Sequence, residues 1–274
     1  MDKRVLTIQD ISCVGRCSLT VALPIISACG IETSVLPSAV LSTHTGGFTG
    51  YTFRDLSDDM PAIKKHWVKE GIKFDAIYTG YLGSVSQVDY VLDIMKDTLT
   101  EDGVRIVDPA MADSGKLYAG FNEDYVQAMK RLCVSADFIL PNITEACMFT
   151  GYEYKEEYDE DYIKGLLEEL GKISSAKIVL TGVSYDKSAT GVVVYDGSEL
   201  KYYRHMRFEK NYHGTGDVYA SAFVGAYMRG HSAYDAAVIA ADYTIECMRN
   251  TQGDENKWYG VKFESAIKTL VDRV

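Results

Sequence analysis

Residues 74–84, FDAIYTGYLGS, place a short apolar run before a glycine-containing turn and a helical pattern that continues to about Leu99. A second apolar run, VRIVDPAM, follows at 104–111, with a proline close behind its last apolar residues. Runs of this length between turn residues are typical of buried strands, and the intervening helix allows the two strands to lie parallel. The stretch therefore predicts a strand–helix–strand unit of an α/β sheet.

The same alternation continues on both sides of this unit. Strands are predicted at residues 4–9, 33–42, 137–142, 177–182, 191–196 and 199–206. Helices are predicted at residues 15–30, 59–70, 122–133 and 156–171, and over most of the chain from Gly214. This order favours an α/β fold with a mostly parallel sheet covered on both faces. Because no repeat or low-complexity linker interrupts it, we expect residues 1–274 to form a single domain.

Local residue choices refine this prediction. Pro37 has no N–H group, so it indicates an edge or a bulge in the strand at 33–42. Asp196-Gly197 predicts a hairpin between the last two strands, and Asn142 is placed to cap a short helix. The stretch THTGGFTGYTF at 43–53 is rich in glycine and aromatic residues and fits neither a helix nor a regular strand. We expect it to form a flap.

Composition and charge narrow the classes of function. Hydrophobic residues make up 47% of the chain and charged residues 24%, which is ordinary for a globular protein. With 39 acidic and 28 basic residues, the formal net charge of −11 disfavours nucleic acid or an anionic membrane surface as a partner. No apolar run approaches the ~20 residues of a membrane span, and the first strand begins next to Met1 without a leader pattern. We therefore expect a cytoplasmic protein.

Six cysteines are scattered through predicted strands, helices and their connections. None forms a CxxC pair, so we expect reduced, mostly buried thiols and no zinc site. They are Cys13, Cys17, Cys29, Cys133, Cys147 and Cys247.

Polar residues follow the predicted strands at their carboxyl ends. Because parallel strands present these ends at one edge of the sheet, where ligands of α/β proteins collect, we expect the residues to converge on one rim. They are Asp10–Ser12, Thr79–Tyr81, Asp108, Asn142–Glu145 and Thr181-Gly182.

The turn GTGD at 214–217 precedes a helix of small and apolar residues. Glycines let the backbone approach an anion, and the N–H groups at a helix start favour negative charge. Asp217 is either a general base for an attacking hydroxyl or an acid that only interacts with the helix dipole. The absence of GxxxxGK[ST] excludes the common P-loop, and no GxGxxG follows the first strand, which disfavours a dinucleotide-binding fold.

Further carboxylates lie at or near the predicted rim. Asp108 ends a strand, Asp113 follows in the loop DPAMADSGKLY, and Glu145 lies one turn into the helix that Asn142 caps. Taken singly, each acid is better explained as a helix cap or a solvated loop residue. Together they would repel one another, so we expect Mg²⁺, held mainly through waters and nucleotide phosphates, to relieve that repulsion.

Four motifs together resemble the vitamin B6 kinases, the pyridoxal kinase family of the ribokinase-like superfamily. They are LTIQ in the first strand, DPxMxDxGKLY, LPNxxEA, and GTGD before an alanine-rich helix. They occur in the family's order over nearly the whole chain. The resemblance implies a three-layer ribokinase-like α/β/α fold with a small flap over the substrate. It also implies ATP-dependent phosphorylation of the 5′-hydroxymethyl group of pyridoxal, pyridoxine or pyridoxamine, a salvage route to pyridoxal 5′-phosphate.

The resemblance assigns roles at the catalytic turn and at the metal. It makes Asp217 the base that activates the hydroxyl, with the N–H groups of Gly214, Thr215 and Gly216 as the anion hole. It places Asp108 and Glu145 at the Mg²⁺ ion. A monovalent cation, often K⁺, assists in that family, and a homodimer is expected.

The resemblance also assigns the two substrates. The ATP-binding residues that it implies are Asp113, Tyr118, Asn142, Glu145 and Thr181. The residues that it places near the vitamer ring are Asp10, His44, Thr45 and Tyr81.

Two residues depart from the family pattern. Asp10 stands where pyridoxal kinases commonly have serine, and an acid there would pair with a protonated pyridine nitrogen or cap the following turn instead. His213 stands where many members carry threonine, whereas related hydroxymethylpyrimidine kinases can carry histidine. We interpret His213 as structural, and the Asp10 substitution leaves the preferred vitamer open.

Three alternatives remain open from the sequence. Hydroxymethylpyrimidine kinase of thiamine biosynthesis shares the nucleotide half, and a sugar or nucleoside kinase comes next. A non-catalytic B6-binding protein belongs to another class, and the retained GTGD turn argues against it.

Overall fold

The structure is a computed structural model that describes residues 3–210 and 212–274. Its strands are β1 (Arg4–Val14), β2 (Glu32–Thr43), β3 (Phe53–Asp55), β4 (Phe74–Thr79), β5 (Leu99–Val107), β6 (Ala112–Asp113), β7 (Lys116–Leu117), β8 (Phe138–Ile139), β9 (Lys177–Thr181), β10 (Ala189–Tyr195) and β11 (Leu200–Met206).

Its α-helices are α1 (Leu19–Ala28), α2 (Met60–Lys69), α3 (Val85–Thr98), α4 (Glu123–Val134), α5 (Ile143–Thr150), α6 (Glu160–Ile173), α7 (Thr215–Met228), α8 (Ala233–Thr251) and α9 (Phe263–Val271). A short 3₁₀ turn, Glu255–Lys257, joins α8 to α9.

Nine strands form one sheet in the order β11-β10-β9-β8-β5-β4-β1-β2-β3. The six strands from β9 to β2 in that order are parallel to their neighbours. Antiparallel strands close both sides, with β3 against β2, and β10 and β11 beyond β9. The remaining strands, β6 and β7, form a small ribbon of their own. The prediction of a mostly parallel sheet is confirmed.

Helices cover both faces of this sheet. Side chains of α2 to α6 pack in one apolar cluster, and those of α1, α7, α8 and α9 pack in a second cluster on the opposite face. In β9, Ile178 and Leu180 belong to the first cluster and Val179 to the second. Successive side chains of a strand point to opposite faces, so a strand buried on both sides must be apolar at every position. This is why the predicted strands are continuous apolar runs.

The first strand is longer than the sequence predicts. β1 pairs with both neighbours up to Ile8, and from there to Val14 it pairs only with β2. Pro37 lies at the start of a register shift, where Gln9 pairs with Pro37 but Ile11 pairs with Val40. The bulge that Pro37 indicated is therefore present. It puts Asp10 inside an extension of the sheet formed by β1, β2 and β3 instead of in a loop.

Other boundaries shift for identifiable reasons. Helix α6 begins at Glu160 instead of residue 156, because the side chain of Asp159 caps it by accepting from Tyr162 N. Strand β8 has only two residues, since Pro141 has no N–H group with which to continue the ladder. The hairpin at Asp196-Gly197 and the cap at Asn142 are both present.

The polar ends of the strands meet at one rim, as predicted. Asp108 N donates to Thr79 O at 2.9 Å, Gly80 N donates to Ile8 O at 3.3 Å, and Asn142 bridges Thr181 in parallel register. These bonds join the ends of β1, β4, β5, β8 and β9 into one continuous edge.

All six cysteines are free thiols, and four of them are buried. Within the described ranges, no helix combines the length and the apolar character that crossing a membrane requires.

Helix α7 packs against α1 through a glycine. A Cβ added at Gly225 would lie 2.4 Å from Cys29 Sγ, so the two helices approach more closely than any side chain would allow. We predict that Gly225→Ala destabilises the fold by about 1–3 kcal/mol through overpacking. The matched control is Gly171→Ala in α6, where the added Cβ meets only Tyr195 at 3.6 Å. Alanine favours helices over glycine there by up to about 1 kcal/mol. Urea denaturation should therefore give shifts of opposite sign, and equal shifts would contradict the packing argument.

Candidate active site

The GTGD turn begins helix α7 in a conformation that requires glycine. Gly214 has φ 75° and forms the N-terminal cap, and a Cβ added to it would lie 1.8 Å from the carbonyl oxygen of Arg16. The first intrahelical bond runs from Val218 N to Gly214 O, so the three preceding amides have no partner within the helix. A Cβ added at Gly216 would meet no atom within 4 Å. The turn is therefore exposed at Gly216 and carries backbone N–H groups that have no partner within the helix.

Asp217 is partly buried in the first turn of α7. Burial raises the pKa of its carboxyl to about 7, the charge of Asp108 adds to the shift, and the backbone amide of Ser18 opposes it. The charge of Asp10 contributes in the raising direction as well. A carboxyl with a pKa near neutrality both exists as an anion and accepts a proton readily, which is what general-base catalysis needs.

Asp10 lies in β1, on the side of the rim where the resemblance places the substrate that accepts the phosphoryl group. It is 4% exposed. Its two carboxylate oxygens accept hydrogen bonds from Ser18 Oγ at 2.5 Å and from Ser12 Oγ at 2.9 Å. Burial raises the pKa of Asp10 even though both bonds oppose the shift. The carboxylate is thus held in place by hydroxyl groups, and no positive side chain neutralises it in these contacts.

Ser18 is a functional residue that the sequence did not reveal. It precedes α1 with φ 56°, a left-handed conformation that is unusual for a residue with a side chain. Its hydroxyl bonds Asp10, and its amide lowers the pKa of Asp217. One strained residue therefore connects the two carboxylates, and strain of this kind clusters at functional sites. Only the backbone conformation identifies it.

Asp108 and Glu145 form a second acidic pair. Burial raises the pKa of Asp108 to about 8, with the charge of Glu145 as the next cause. Burial also raises the pKa of Glu145 to about 7. Glu145 is 2% exposed, and its carboxylate accepts from Met111 N and Asn142 N, both at 2.9 Å, and more weakly from Ala112 N. Glu145 is therefore largely committed to the backbone, whereas Asp108 accepts only from Ala110 N in the described structure.

Asn142 and Thr181 shape the rim between β8 and β9. Asn142 Oδ1 accepts from Glu145 N, which completes a capping box, and Asn142 Nδ2 donates to Ala112 O at 2.8 Å. Both ends of the amide are thus occupied. Thr181 is half-buried, and its hydroxyl makes a long bond of 3.4 Å to Pro141 O, which leaves it available to a ligand.

The loop that carries Asp113 and Tyr118 lies at the open side of the site. Asp113 is exposed on the β6–β7 ribbon, and Tyr118 is 43% exposed. Burial of its hydroxyl end raises the pKa of Tyr118, and the charges of Glu145, Asp113, Asp108 and Asp217 all add to the shift. The hydroxyl of Tyr118 is therefore close enough to all four carboxylates to feel their charge. The structure brings together the residues that the resemblance assigned to catalysis, metal and nucleotide.

His44 lies below the flap surface and is 5% exposed. Its Nδ1 accepts from Gly46 N at 3.1 Å, so its Nε2 carries the proton and donates to Tyr259 O at 2.7 Å. Burial lowers the pKa of His44. With both nitrogens bonded to the backbone, only the ring face of His44 remains for a vitamer, and the residue mainly fixes the flap.

Other residues that the resemblance places near the vitamer ring are more accessible to solvent. Thr45 is exposed and Tyr81 is half-buried. Burial raises the pKa of Tyr81 to about 12, and Asp10 and Tyr51 contribute, which places Tyr51 beside the same group. His213 is exposed, and its ring lies 5.4 Å from that of His44 between centroids. Tyr51 was not singled out by the sequence, because aromatic residues are common in glycine-rich loops.

The residues at the second acidic pair fit a hydrated cation. No three His, Cys, Asp or Glu side chains within residues 3–210 and 212–274 are grouped closely enough to form a protein-only metal site. Mg²⁺ commonly uses one or two carboxylates and completes its shell with water and phosphate. The raised pKa values of Asp108 and Glu145 show negative charge that a cation would stabilise. Thr79 Oγ1 is buried without a hydrogen-bond partner in the described part of the chain, but its side chain points to the opposite face of the sheet from Asp108.

Comparison with known proteins agrees with this geometry. A family model described as phosphomethylpyrimidine kinase matches residues 25–260, most of the chain. The chain belongs to the phosphomethylpyrimidine kinase family. It is a kinase of the α/β fold that the resemblance implied, and ATP is the co-substrate of such enzymes.

Three relatives illustrate the range of this family. A protein from Bacteroides thetaiotaomicron, provisionally assigned as a phosphomethylpyrimidine kinase and crystallised with pyridoxal, is 34% identical with a TM-score of 0.93; the match covers 100% of this chain and 97% of that one. Pyridoxal kinase from Lactobacillus plantarum is 31% identical with a TM-score of 0.91, over 98% and 97% of the two chains. Pyridoxal kinase from Dictyostelium discoideum is 28% identical over 82% of this chain and 78% of its own.

The raised pKa values of the buried acids predict how the free energy of unfolding depends on pH, and this prediction can be tested without substrate. Asp108, Asp217 and Glu145 have pKa values of about 7–8 in the folded chain, far above the ~4 of unfolded carboxyls. Between pH 6.5 and 8.5 the folded state therefore binds more protons than the unfolded state, so its free energy of unfolding falls as pH rises. Asp108→Asn should reduce this slope in thermal unfolding. The pKa values of His44 and His213 are lowered, so these histidines change the pH dependence of the free energy of unfolding below pH 6.5, outside this window. An unchanged slope in the variant would show that these carboxyls titrate normally.

Proposed function

We propose that this kinase transfers the terminal phosphoryl group of ATP to the 5′-hydroxymethyl group of pyridoxal, pyridoxine or pyridoxamine, in the salvage of pyridoxal 5′-phosphate. The observation that carries the proposal is the juxtaposition at α7. A carboxyl with a pKa near 7 stands in a helix start whose backbone amides have no partner within the helix and whose second residue, Gly216, is exposed. The pyridoxal kinases among its relatives, and the homologue crystallised with pyridoxal, support a B6 vitamer as the acceptor.

The reaction needs one proton transfer and one displacement. Asp217 takes the proton from the acceptor hydroxyl as its oxygen bonds to the terminal phosphorus, and the bond from that phosphorus to the bridging oxygen of ATP breaks. ADP leaves with the displaced electron pair. The amides of Gly214, Thr215 and Gly216 would stabilise charge on the transferred group as the anion hole, because phosphoryl transfer depends mainly on alignment and charge neutralisation.

The nucleotide side would use the second acidic pair. Asp108 would hold Mg²⁺ through water or directly, and Glu145 would act as a more distant charge, since its oxygens already accept backbone bonds. Mg²⁺ neutralises phosphate charge when it is bound. Asp113, Tyr118 and Thr181 would line the nucleotide cleft, and Asn142 would keep its shape. A monovalent cation, often K⁺, stays a prediction of the resemblance. A homodimer in the cytoplasm stays a prediction.

The acceptor side would be bounded by Asp10, Tyr81, Thr45 and the ring face of His44. The buried carboxylate of Asp10 favours a ligand that presents a hydrogen-bond donor or a positive charge, such as a protonated pyridine nitrogen. Hydroxymethylpyrimidine is the second candidate acceptor. Its support is the family model itself, and His213 before the GTGD turn, which such kinases can carry.

A substrate panel separates these possibilities. We expect phosphate transfer from ATP to pyridoxal, pyridoxine and pyridoxamine with Mg²⁺ and K⁺, and at least ten-fold lower kcat/KM for hydroxymethylpyrimidine. Asp10→Ser should shift the preference among the vitamers, since it removes the carboxylate beside the ring. Higher kcat/KM for hydroxymethylpyrimidine would assign the chain to thiamine synthesis. ATP consumption that no acceptor stimulates would favour a binding protein.

A single carboxylate tests the mechanism. Asp217→Asn should lower kcat by about 10²–10⁴-fold, the usual contribution of a general base, while the affinity for ATP stays within two-fold. Asp124→Asn, at an exposed first-turn acid of α4, is the matched control and should leave both unchanged. Calorimetric titration with a non-hydrolysable ATP analogue measures the affinity. Loss of nucleotide binding together with the fold would make Asp217 a structural residue.

A further inference from the structure

The flap at residues 43–53 rests on a distant part of the chain, residues 254–260, which we call the C-terminal segment. The ring of Phe48 lies 4.6 Å from that of Trp258, between centroids. A Cβ added at Gly47 would lie 2.8 Å from the Trp258 ring, so the contact is as close as a glycine allows. His44 Nε2 also donates to Tyr259 O. The first half of the flap is thus held by the C-terminal segment, which is not part of the catalytic turn.

The same segment reaches the catalytic turn through Arg16. The Arg16 guanidinium lies 5.9 Å from the centre of the Tyr259 ring and donates to Gly260 O at 3.5 Å, and it pairs with Glu264 at 2.9 Å. The carbonyl oxygen of Arg16 lies where a side chain of Gly214 would be. The C-terminal segment therefore touches the flap directly and the GTGD turn through one residue.

The segment has its own attachment to the helices around it. Lys262 pairs with Asp254 at 2.6 Å, and Lys262 N donates to Thr251 Oγ1 at 2.8 Å. Lys257 Nζ bonds Tyr259 Oη at 3.0 Å. The segment is therefore anchored to the end of α8 independently of the flap. Trp258 itself is 40% exposed, so its ring contributes more to the flap contact than to the core.

We propose that Trp258 and Tyr259 are positioning residues for the acceptor, which hold the flap at a fixed distance from the turn that carries Asp217. The proposal rests on the proposed function, because it assigns the acceptor to the space between flap and turn. Residues beyond the catalytic helix thereby belong to the acceptor side of the site, although they carry none of the reacting groups. Their substitution should affect acceptor binding and leave the nucleotide side intact.

The first test uses the ligand-free protein and does not require activity. In hydrogen exchange followed by mass spectrometry, Trp258→Ala should speed exchange of the flap peptide by at least ten-fold, because Gly47 and Phe48 lose the ring against which they pack. Trp258→Phe should restore slow exchange, since an aromatic ring remains against Gly47. Trp67→Phe is the control and should leave exchange of the flap peptide unchanged. Trp67 is the other of the two tryptophans, and it packs on Phe74 in the other helical layer.

The second test measures steady-state kinetics of the same variants. We expect Trp258→Ala to raise KM for the B6 vitamer about ten-fold, with KM for ATP and kcat within two-fold of wild type, and Trp258→Phe to recover most of the loss. Unchanged flap exchange in Trp258→Ala would overturn the proposal, and so would faster exchange with an unchanged vitamer KM. If the wild-type chain phosphorylates no B6 vitamer, the proposed function fails, and flap exchange alone then decides whether the segment holds the flap.

Discussion

The removal of several neighbouring carboxylates from water is the constraint on which this site depends. Asp217, Asp108 and Glu145 are each destabilised as anions by burial, and the charge of Asp108 raises the pKa of Asp217. Such an arrangement lowers the stability of the ligand-free protein. The lost stability is recovered only when cations or proton-bearing ligands bind beside these carboxylates. The chemistry that we propose uses that cost, since the pKa near 7 of the base is produced mainly by burial, to which the repulsion adds. In the function that we propose, the same acids would hold the metal through which a strongly acidic chain attracts a nucleotide.

A second constraint is the close approach of separate chain segments at glycines. Gly15 admits the ring of His44, Gly46 admits His213, and Gly214 admits the backbone of Arg16, each at a distance that a Cβ would forbid. These contacts assemble the loop after β1, the flap and the catalytic turn into one compact acceptor side. Rigid packing of this kind fixes the distance between a base and its substrate, on which the rate of group transfer depends steeply.

The two halves of the site differ in how they are built. The proposed nucleotide side uses strand ends and a capped helix, so its residues are placed by the regular sheet. The acceptor side uses the bulged extension of the sheet, a flap and a C-terminal segment, which are irregular elements held by side-chain contacts. This difference fits a family in which the kinase chemistry is shared while the acceptor varies among its members.

The sequence by itself determined the layer order, the parallel sheet and the gathering of Asp108, Glu145 and Thr181 at one rim. These follow from local rules, because apolar periodicity and the parallel direction of strands dictate where the strand ends lie. Only the tertiary structure decided that Ser18 joins Asp10 to Asp217, that His44 is bonded through both nitrogens, and that Trp258 supports the flap. Each of these depends on a contact between residues far apart in the chain or on a left-handed backbone angle. Neither leaves a pattern in a single sequence, because the partner that makes the contact is chosen by the packing of the whole fold.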